Sequence, residues 1–196
     1  MPTGRRTSST GVRIVGGRWR GRRLAIPAGT EVRPTPDRVR ETLFNWLVPA
    51  LDGASCLDLF AGSGVLGLEA LSRGAVQAWF VERDAVLAAA LRAQVRVLGA
   101  QGRVIRRDAL KFLSSRPQRR FDVVFVDPPY ATGLAEVLEE LAAWLAAEHL
   151  VYVERPALRG AGGLEESIST VRGAELVTQG RAATVAFGLL RLPAAE

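Results

Sequence analysis

The chain is poor in the side chains from which many sites are built: it has one cysteine, one histidine, and a single lysine among its 26 basic residues. A lone Cys56 excludes an intramolecular disulfide and a cysteine-rich zinc site. Within the apolar run SCLDLF (55–60) it reads as a small core residue rather than a nucleophile. His149 has no catalytic partner in the sequence and reads as the start of a strand, and no metal site is expected. No apolar run is long enough to span a bilayer, and no hydrophobic segment follows the arginines of MPTGRRTSSTG, which argues against a secretory signal. A soluble, cytoplasmic, monomeric protein is expected.

Acid is also missing where base is plentiful. Residues 1–30 hold seven arginines and no Asp or Glu, so this stretch alone exceeds the whole chain's formal charge of +6. A one-sided basic arm points to an anionic partner, and nucleic acid fits best. Residues 1–11 read as a disordered basic tail. In 12–50 a different pattern begins. VRIVGGRWRGRRL alternates apolar residues with arginine around Gly16, Gly17 and Gly21, as a short strand pair with a turn does. It would display Arg13, Arg18, Trp19, Arg20, Arg22 and Arg23, and arginine suits bidentate phosphate contact and base stacking. TPDRVRETLFNWL (35–47) reads as an amphipathic helix with Val39, Leu43, Trp46 and Leu47 inward and Arg38 outward.

What is abundant from residue 51 to 196 is alternation. β-like runs at 55–60, 77–82, 103–107, 121–127, 149–154 and 184–192 are separated by helix-like segments; in the clearest, Asp84 caps the start and Gly99 the end, with Leu87, Leu91, Val95 and Leu98 on one face. Residues 159–167 read as a loop. Strands alternating with helices of this length imply a mostly parallel sheet with helices on both faces, a Rossmann-like α/β domain. Trp79 and Trp144 read as core, and Glu41 and Glu69 as helix-surface charges.

Two stretches carry the chemistry. DLFAGSGVLG contains Gly62-x-Gly64-x-x-Gly67 between a strand and a helix, with Glu82 at the tip of the next strand. This is the spacing of a dinucleotide unit, whose acid takes ribose hydroxyls. Asp58, where the strand meets the loop, would repel a pyrophosphate but suits a cationic amino-acid group. S-adenosylmethionine offers an ammonium, a sulfonium and a ribose diol without phosphate, which fits Asp58 and Glu82 together. Asp108 is either an adenine contact or a helix cap. The second stretch is DPPY. Asp127 ends a buried strand, Pro128 and Pro129 stiffen the turn and remove competing N–H donors, and Tyr130 offers a ring. These parts suit methylation of an exocyclic base amine: Asp127 and the Pro128 carbonyl accept its two hydrogens and aim its lone pair, while Tyr130 stacks on the flipped base.

The blocks RIVGGRWRGRRL, RPTPDRVRETLFNWL, CLDLFAGSGVLGLEALSRGA and VFVDPPY occur in that order and together cover much of the chain. With them the sequence resembles the RsmD family of bacterial 16S rRNA guanine-N2 methyltransferases, within the class I methyltransferases. The resemblance implies a seven-stranded sheet ending in an antiparallel hairpin, S-adenosylmethionine as cofactor, and 16S rRNA within the 30S subunit as substrate. It implies cofactor contacts from Asp58, Phe60, Ala61, Gly62, Ser63, Gly64, Glu82, Arg83, Asp108 and Ala109, and catalysis by Asp127, Pro128, Pro129 and Tyr130. Rival readings are an adenine-N6 methyltransferase acting on DNA or RNA, an NAD-dependent oxidoreductase, and an RNA-binding module without activity. No separate DNA-recognition domain and no proton-handling pair near the glycine loop support the first and second of these, and an intact DPPY argues against the third.

Overall fold

The computed structural model describes residues 11–30, 35–129, 132–156, 164–182 and 185–193. Its first two strands, β1 (Gly11–Arg13) and β2 (Arg23–Ala25), pair antiparallel as a small separate sheet, the expected strand pair, with a 3-10 turn at Gly17–Trp19 between them. Helix α1 (Asp37–Leu51) follows, and Val39, Leu43 and Leu47 are buried as its apolar spacing requires. Trp46 is only partly covered, and stacks on Phe187 at 5.4 Å between ring centroids.

Beyond α1 the chain alternates as its sequence predicts. The elements are β3 (Ser55–Asp58), α2 (Val65–Ser72), β4 (Gln77–Glu82), α3 (Ala85–Val97), β5 (Gly102–Arg106), α4 (Ala109–Leu113), β6 (Phe121–Val126), α5 (Leu134–Leu141), β7 (Leu145–Pro156), α6 (Leu164–Ile168), β8 (Glu175–Ala182) and β9 (Val185–Arg191). The large sheet has seven strands in the order β5–β4–β3–β6–β7–β9–β8. The first five run parallel and the last two antiparallel, so the sheet ends in a hairpin. The strand order reverses direction between β3 and β6, and ligands of open α/β sheets bind outside the carboxyl ends at such a switch. Hydrophobic clusters fill both faces: α1, α2, α3 and the small hairpin cover one, and α4, α5 and α6 the other.

Two elements differ from the sequence reading. Residues 164–168 form a short helix rather than loop, because Leu164 and Ile168 bury against the second cluster. β8 carries no clear strand signal. It is an edge strand whose exposure alternates between exposed and half-buried along its length, so it never presents the apolar run that marks the central strands. Gly180 within it lies under an aromatic pair, where a Cβ would come within 2.8 Å of the Phe187 ring and 3.1 Å of Trp46. His149 lies inside β7, and its ring ties the chain's last strand down: Nδ1 donates to the Ala146 carbonyl at 2.8 Å while Nε2 accepts from Leu192 N–H at 3.1 Å. Cys56 is fully buried and burial pushes its thiol far up, as suits a core residue.

Candidate active site

The glycine loop leaves β3 and enters α2, and its shape comes from backbone bonds to the two acids that flank it. Glu82, the last residue of β4, accepts from Gly62 N–H at 2.7 Å and from Asp84 N–H at 2.7 Å. Asp58, at the end of β3, accepts from Gly67 N–H at 3.0 Å. Gly62 and Gly64 take positive φ of 52° and 74°, and Gly64 N–H closes the turn onto the Ala61 carbonyl at 2.6 Å. The reason for glycine at two positions is packing between elements. A Cβ on Gly64 would sit 2.3 Å from Leu91 of α3, and one on Gly67 would sit 2.4 Å from Phe80 of β4. Ala61 and Ser63 are buried in the loop, Phe60 is half-buried, and Arg83 is exposed beyond Glu82.

Asp58 is 3% exposed, and the hydrogen bond from Gly67 N–H is too little compensation for a buried charge. Burial first, with Glu82 adding to it, pushes its carboxyl up from 3.8 to about 7 despite the Gly67 bond. A cation placed against it would restore the ionised form, and this donor set fits an ammonium and a ribose diol. Asp108 serves as the N-cap of α4, accepting from Lys111 N–H at 3.2 Å, with Ala109 buried behind it. The cap is thus filled, and its second oxygen remains the part that could meet an adenine amine.

The register of the sheet brings further acids to the same edge. Asp58 pairs with Phe125 across β3 and β6, and Phe125 pairs with Tyr152 across β6 and β7. Residues paired this way share a face, and so do residues two apart. Asp127, one step past the Val126–Val153 pair, therefore stands abreast of Glu154, on the face that carries Asp58 and Glu82. Burial, and then the neighbouring Glu154 and Asp58, hold the Asp127 carboxyl well above the usual range. Glu154 is raised by burial too; the Tyr152 hydroxyl donates to its Oε2 at 2.8 Å, and the Thr35 side chain lies beside it. Sequence reasoning missed Glu154. Its signal was the match of VYVE to VFVD, two strands with an acid at the same height. Pro128 is buried, Pro129 is exposed, and the Pro129 carbonyl accepts from Thr132 N–H at 2.8 Å, closing the turn. Tyr130 lies outside the described residues.

The basic arm docks on the back of the glycine-loop helix through a residue that its sequence setting disguises. Glu69 is not a surface charge: it is fully buried, in the middle of α2. Its carboxylate accepts from Val15 N–H at 2.8 Å, Gly16 N–H at 2.6 Å, Arg73 Nε at 2.9 Å and Arg40 at 3.3 Å. Arg40 is itself fully buried and donates to the carbonyls of Arg13 and Thr35 and to Asp37. One turn further along α2, Ser72 Oγ accepts from Trp19 N–H at 2.9 Å and donates to the Gly16 carbonyl at 2.6 Å. The Gly16-Gly17 pair is dictated by this approach, since a Cβ on Gly17 (φ 72°) would lie 1.9 Å from the Ser72 carbonyl oxygen. All of this is invisible in a helical wheel, where Glu69 looks like any polar position.

The apolar side chains of the arm join the core, and most of its arginines are open to solvent. Arg18, Arg20, Arg22, Arg23 and Arg38 are exposed, and among the described residues none of them pairs with a carboxylate. Trp19 is half-buried with the Arg18 guanidinium 4.1 Å from its ring centroid. Arg13 differs, being bound to Asp37 at 3.2 Å. The arm is not the whole basic surface either. Residues 85–120 carry nine basic side chains and one acid, a concentration hidden by acids elsewhere in the chain. Arg92 and Arg96 of α3 line a depression of about 480 Å³ at the amino end of β5, at the sheet edge and away from the carboxyl ends of the strands. Gln94 of α3 donates to the Ala25 carbonyl of β2 at 3.1 Å, which makes this surface continuous with the arm.

A parallel sheet in this strand order, closed by an antiparallel hairpin, with a glycine loop and acids on successive strand ends, is the architecture of a class I methyltransferase. A family model described as "Conserved hypothetical protein 95" matches residues 12–184. Ribosomal RNA small subunit methyltransferase D of Escherichia coli K12 is 50% identical over 147 residues, covering 73% of this chain and 74% of that protein. Its namesake in Haemophilus influenzae is 47% identical over 150 residues, covering 73% and 78%. The chain belongs to this family, the ribosomal RNA small subunit methyltransferase D (RsmD) family. The solved Escherichia coli structure of yhhF superposes with a TM-score of 0.79 at 40% identity, over 94% of this chain and 99% of that one. The Thermus thermophilus 16S rRNA N2 G1207 methyltransferase RsmC, solved with AdoMet and guanosine, shares the fold at TM-score 0.65 and 20% identity, over 92% of this chain and 48% of that one.

Proposed function

We propose that this protein transfers a methyl group from S-adenosylmethionine to the exocyclic N2 of a guanine in 16S rRNA, on the assembled small subunit. The observation that carries the reading is the position of Asp127-Pro128-Pro129 at the end of β6, next to the glycine loop on β3, in a chain of the RsmD family. When bound, S-adenosylmethionine supplies an electrophilic methyl on a positive sulfur. Glu82 takes the ribose hydroxyls, Asp58 receives the ammonium, and the loop from Phe60 to Gly64 lies along the cofactor. Asp108 and Ala109 border the adenine.

The amine of guanine is a poor nucleophile because its lone pair is conjugated with the ring. Asp127 and the Pro128 carbonyl accept its two hydrogens, favour a pyramidal nitrogen and point its lone pair outward. Positioning and electrostatics then supply most of the rate. Burial makes Asp127 a stronger base than a free carboxylate, and the positive cofactor favours its ionised form, so it can hold the proton that leaves the alkylated nitrogen. Tyr130 stacks on the flipped base. The hairpin and α1, residues 12–50, hold the RNA backbone through Arg18, Trp19, Arg20, Arg22, Arg23 and Arg38, with Arg13 at their margin.

The test is incubation with methyl-labelled S-adenosylmethionine and, in parallel, small subunits lacking the modification, naked 16S rRNA and duplex DNA, followed by nucleoside analysis. Label in N2-methylguanosine from subunits is the expected result. Label in N6-methyladenine, or transfer only to DNA, would overturn the assignment.

A further inference from the structure

We propose that Glu154 is the residue that reads the target base as guanine, accepting its ring N1–H while Asp127 accepts from the neighbouring exocyclic amine. The inference rests on the guanine-N2 reading above and assigns the specificity of that same site. An acid that binds an exocyclic amine cannot by itself tell bases apart, since adenine, cytosine and guanine all present one. The atom beside the amine differs. In guanine it is N1–H, a donor; in adenine and cytosine the ring nitrogen next to the amine is an acceptor. Two carboxylates side by side therefore match guanine's two adjacent donors. Offered adenine or cytosine, the second would face a lone pair.

The structure provides that second carboxylate. Val126 and Val153 are in register across the parallel strands β6 and β7, so the next residues, Asp127 and Glu154, stand abreast and on one face. Both are partly buried acids at the mouth of the crevice, and Glu154 is one of the causes that raise Asp127. Glu154 is half-buried, hence reachable, but it is not loose. The Tyr152 hydroxyl donates to its Oε2 at 2.8 Å, and Tyr152 is fully buried. The Thr35 side chain lies beside it, and Thr35 is 4% exposed with its carbonyl held by buried Arg40 at 3.1 Å. A carboxylate has about four lone-pair sites, so the buried Tyr152 donor fixes its orientation and leaves acceptor capacity for a ligand. Holding an acid so firmly at the rim, where burial opposes its charge, is costly unless a donor arrives there. In the methyl transfer itself Glu154 has no part, because Asp127 and Pro128 already account for both amine hydrogens.

The experiment uses small subunits reconstituted with 16S rRNA that carries either guanosine or 2-aminopurine riboside at the methylated position. 2-Aminopurine keeps the amine but has a bare ring N1. The full-length protein and its Glu154→Gln variant are compared by kcat/KM on both substrates, with cofactor affinity and melting temperature measured alongside. The wild type should prefer guanosine by at least 100-fold. In Glu154→Gln the amide can donate to a bare N1, so the preference should shrink at least tenfold while cofactor affinity stays within about twofold. Comparing the ratio between proteins cancels the missing O6 of 2-aminopurine, which both experience. Tyr152→Phe keeps the carboxylate but frees it, and should narrow the preference by a smaller factor; it serves as the readout should Glu154→Gln not fold. An unchanged ratio in the variants, or a wild type indifferent to the two bases, overturns the role of Glu154. Methyl found by the wild type on a base other than guanine, or on an atom other than N2, overturns the reading beneath it instead.

Discussion

The carboxyl edge of the sheet and the small N-terminal hairpin use charge in opposite ways. At the edge, Glu82, Asp58, Asp127 and Glu154 stand on four adjacent strands and one face, and burial raises three of these carboxyls. On the hairpin, Arg18, Arg20, Arg22 and Arg23 are open to solvent. What the hairpin buries is its apolar side chains, Ile14 and Leu24 among them, and part of its backbone, whose Val15, Gly16 and Trp19 N–H groups end on Glu69 and Ser72 of α2. A charge at the edge is thus placed to act on a ligand at short range in a dry setting, while a charge on the arm is placed to act at long range through water, screened by salt. Substitutions at the edge should change chemistry. Side-chain substitutions on the arm should change encounter and affinity, and damage to its anchor should change stability.

The largest effect expected is on the edge. Asp127→Ala should lower methylation by at least about 100-fold, the scale of removing one positioned catalytic group. Cofactor affinity, measured by calorimetry, should change little. Tyr130→Phe should keep much of the activity that Tyr130→Ala loses, because stacking uses the ring. Equal, near-total loss in both tyrosine variants would assign the work to the hydroxyl.

Next is the anchor. Glu69→Ala takes from buried Arg40 one of its two carboxylates and strips two backbone donors of their acceptor, a change on the order of 3–5 kcal/mol. At about 2–4 °C per kcal/mol for a chain of this size, the melting temperature should fall by roughly 10 °C. A thermal scan showing a fall of a degree or two would mean that the arm is not held through Glu69.

Asp58 sets a smaller effect of defined sign. Its folded carboxyl is raised above the unfolded value, from 3.8 to about 7, so between these values the folded state holds the proton that the unfolded state has lost. Its contribution is therefore full at low pH and is lost as pH rises from about 4 to about 7. Asp127 and Glu154, also raised, act in the same direction. Asp58→Asn keeps an acceptor for Gly67 N–H but removes the charge, so it should melt higher than the wild type at pH 8 by several degrees, and equally at pH 4. It should also bind S-adenosylmethionine more weakly. Identical melting at pH 8 would show that Asp58 is not the strained charge.

How much of this was legible in the sequence follows from burial and distance. The parallel strands, the glycine loop and the Asp-Pro-Pro end of β6 are local patterns, and each stands where its spacing put it. Asp84 caps α3, accepting from Val86 and Leu87 N–H, as its place before an apolar helix implies. Glu69 could not be read, because what makes it buried lies 53 and 54 residues away in the chain. Glu154 was missed for a related reason: its meaning depends on the register between β6 and β7 and on Thr35, more than a hundred residues earlier in the chain. In sequence Gly64 reads as room for a cofactor, whereas Leu91 is the side chain that a Cβ there would strike.

The smallest effect at moderate salt, and the one that tests the contrast between edge and arm most directly, is on the arm. Replacing Arg18, Arg20, Arg22 and Arg23 with glutamine removes four exposed charges without touching the bonds to Glu69 and Ser72, which are made by backbone atoms. The melting temperature and the cofactor affinity should stay within error. Binding to the small subunit should weaken, and the log–log fall of affinity with salt should flatten by about 0.7–0.9 for each phosphate no longer neutralised, hence by up to roughly 3.6 units. The slope should not vanish, because the exposed arginines at 92, 96, 103, 106 and 107 remain on the α3–β5 edge. A quadruple variant that melts lower but keeps its slope would mean that the hairpin only braces α2; a variant whose slope falls to zero would mean that the second basic region contributes nothing to RNA binding. Adding Arg92→Gln and Arg96→Gln to the quadruple variant separates these cases, since a further fall in slope with unchanged melting assigns the edge to the same electrostatic footprint as the arm.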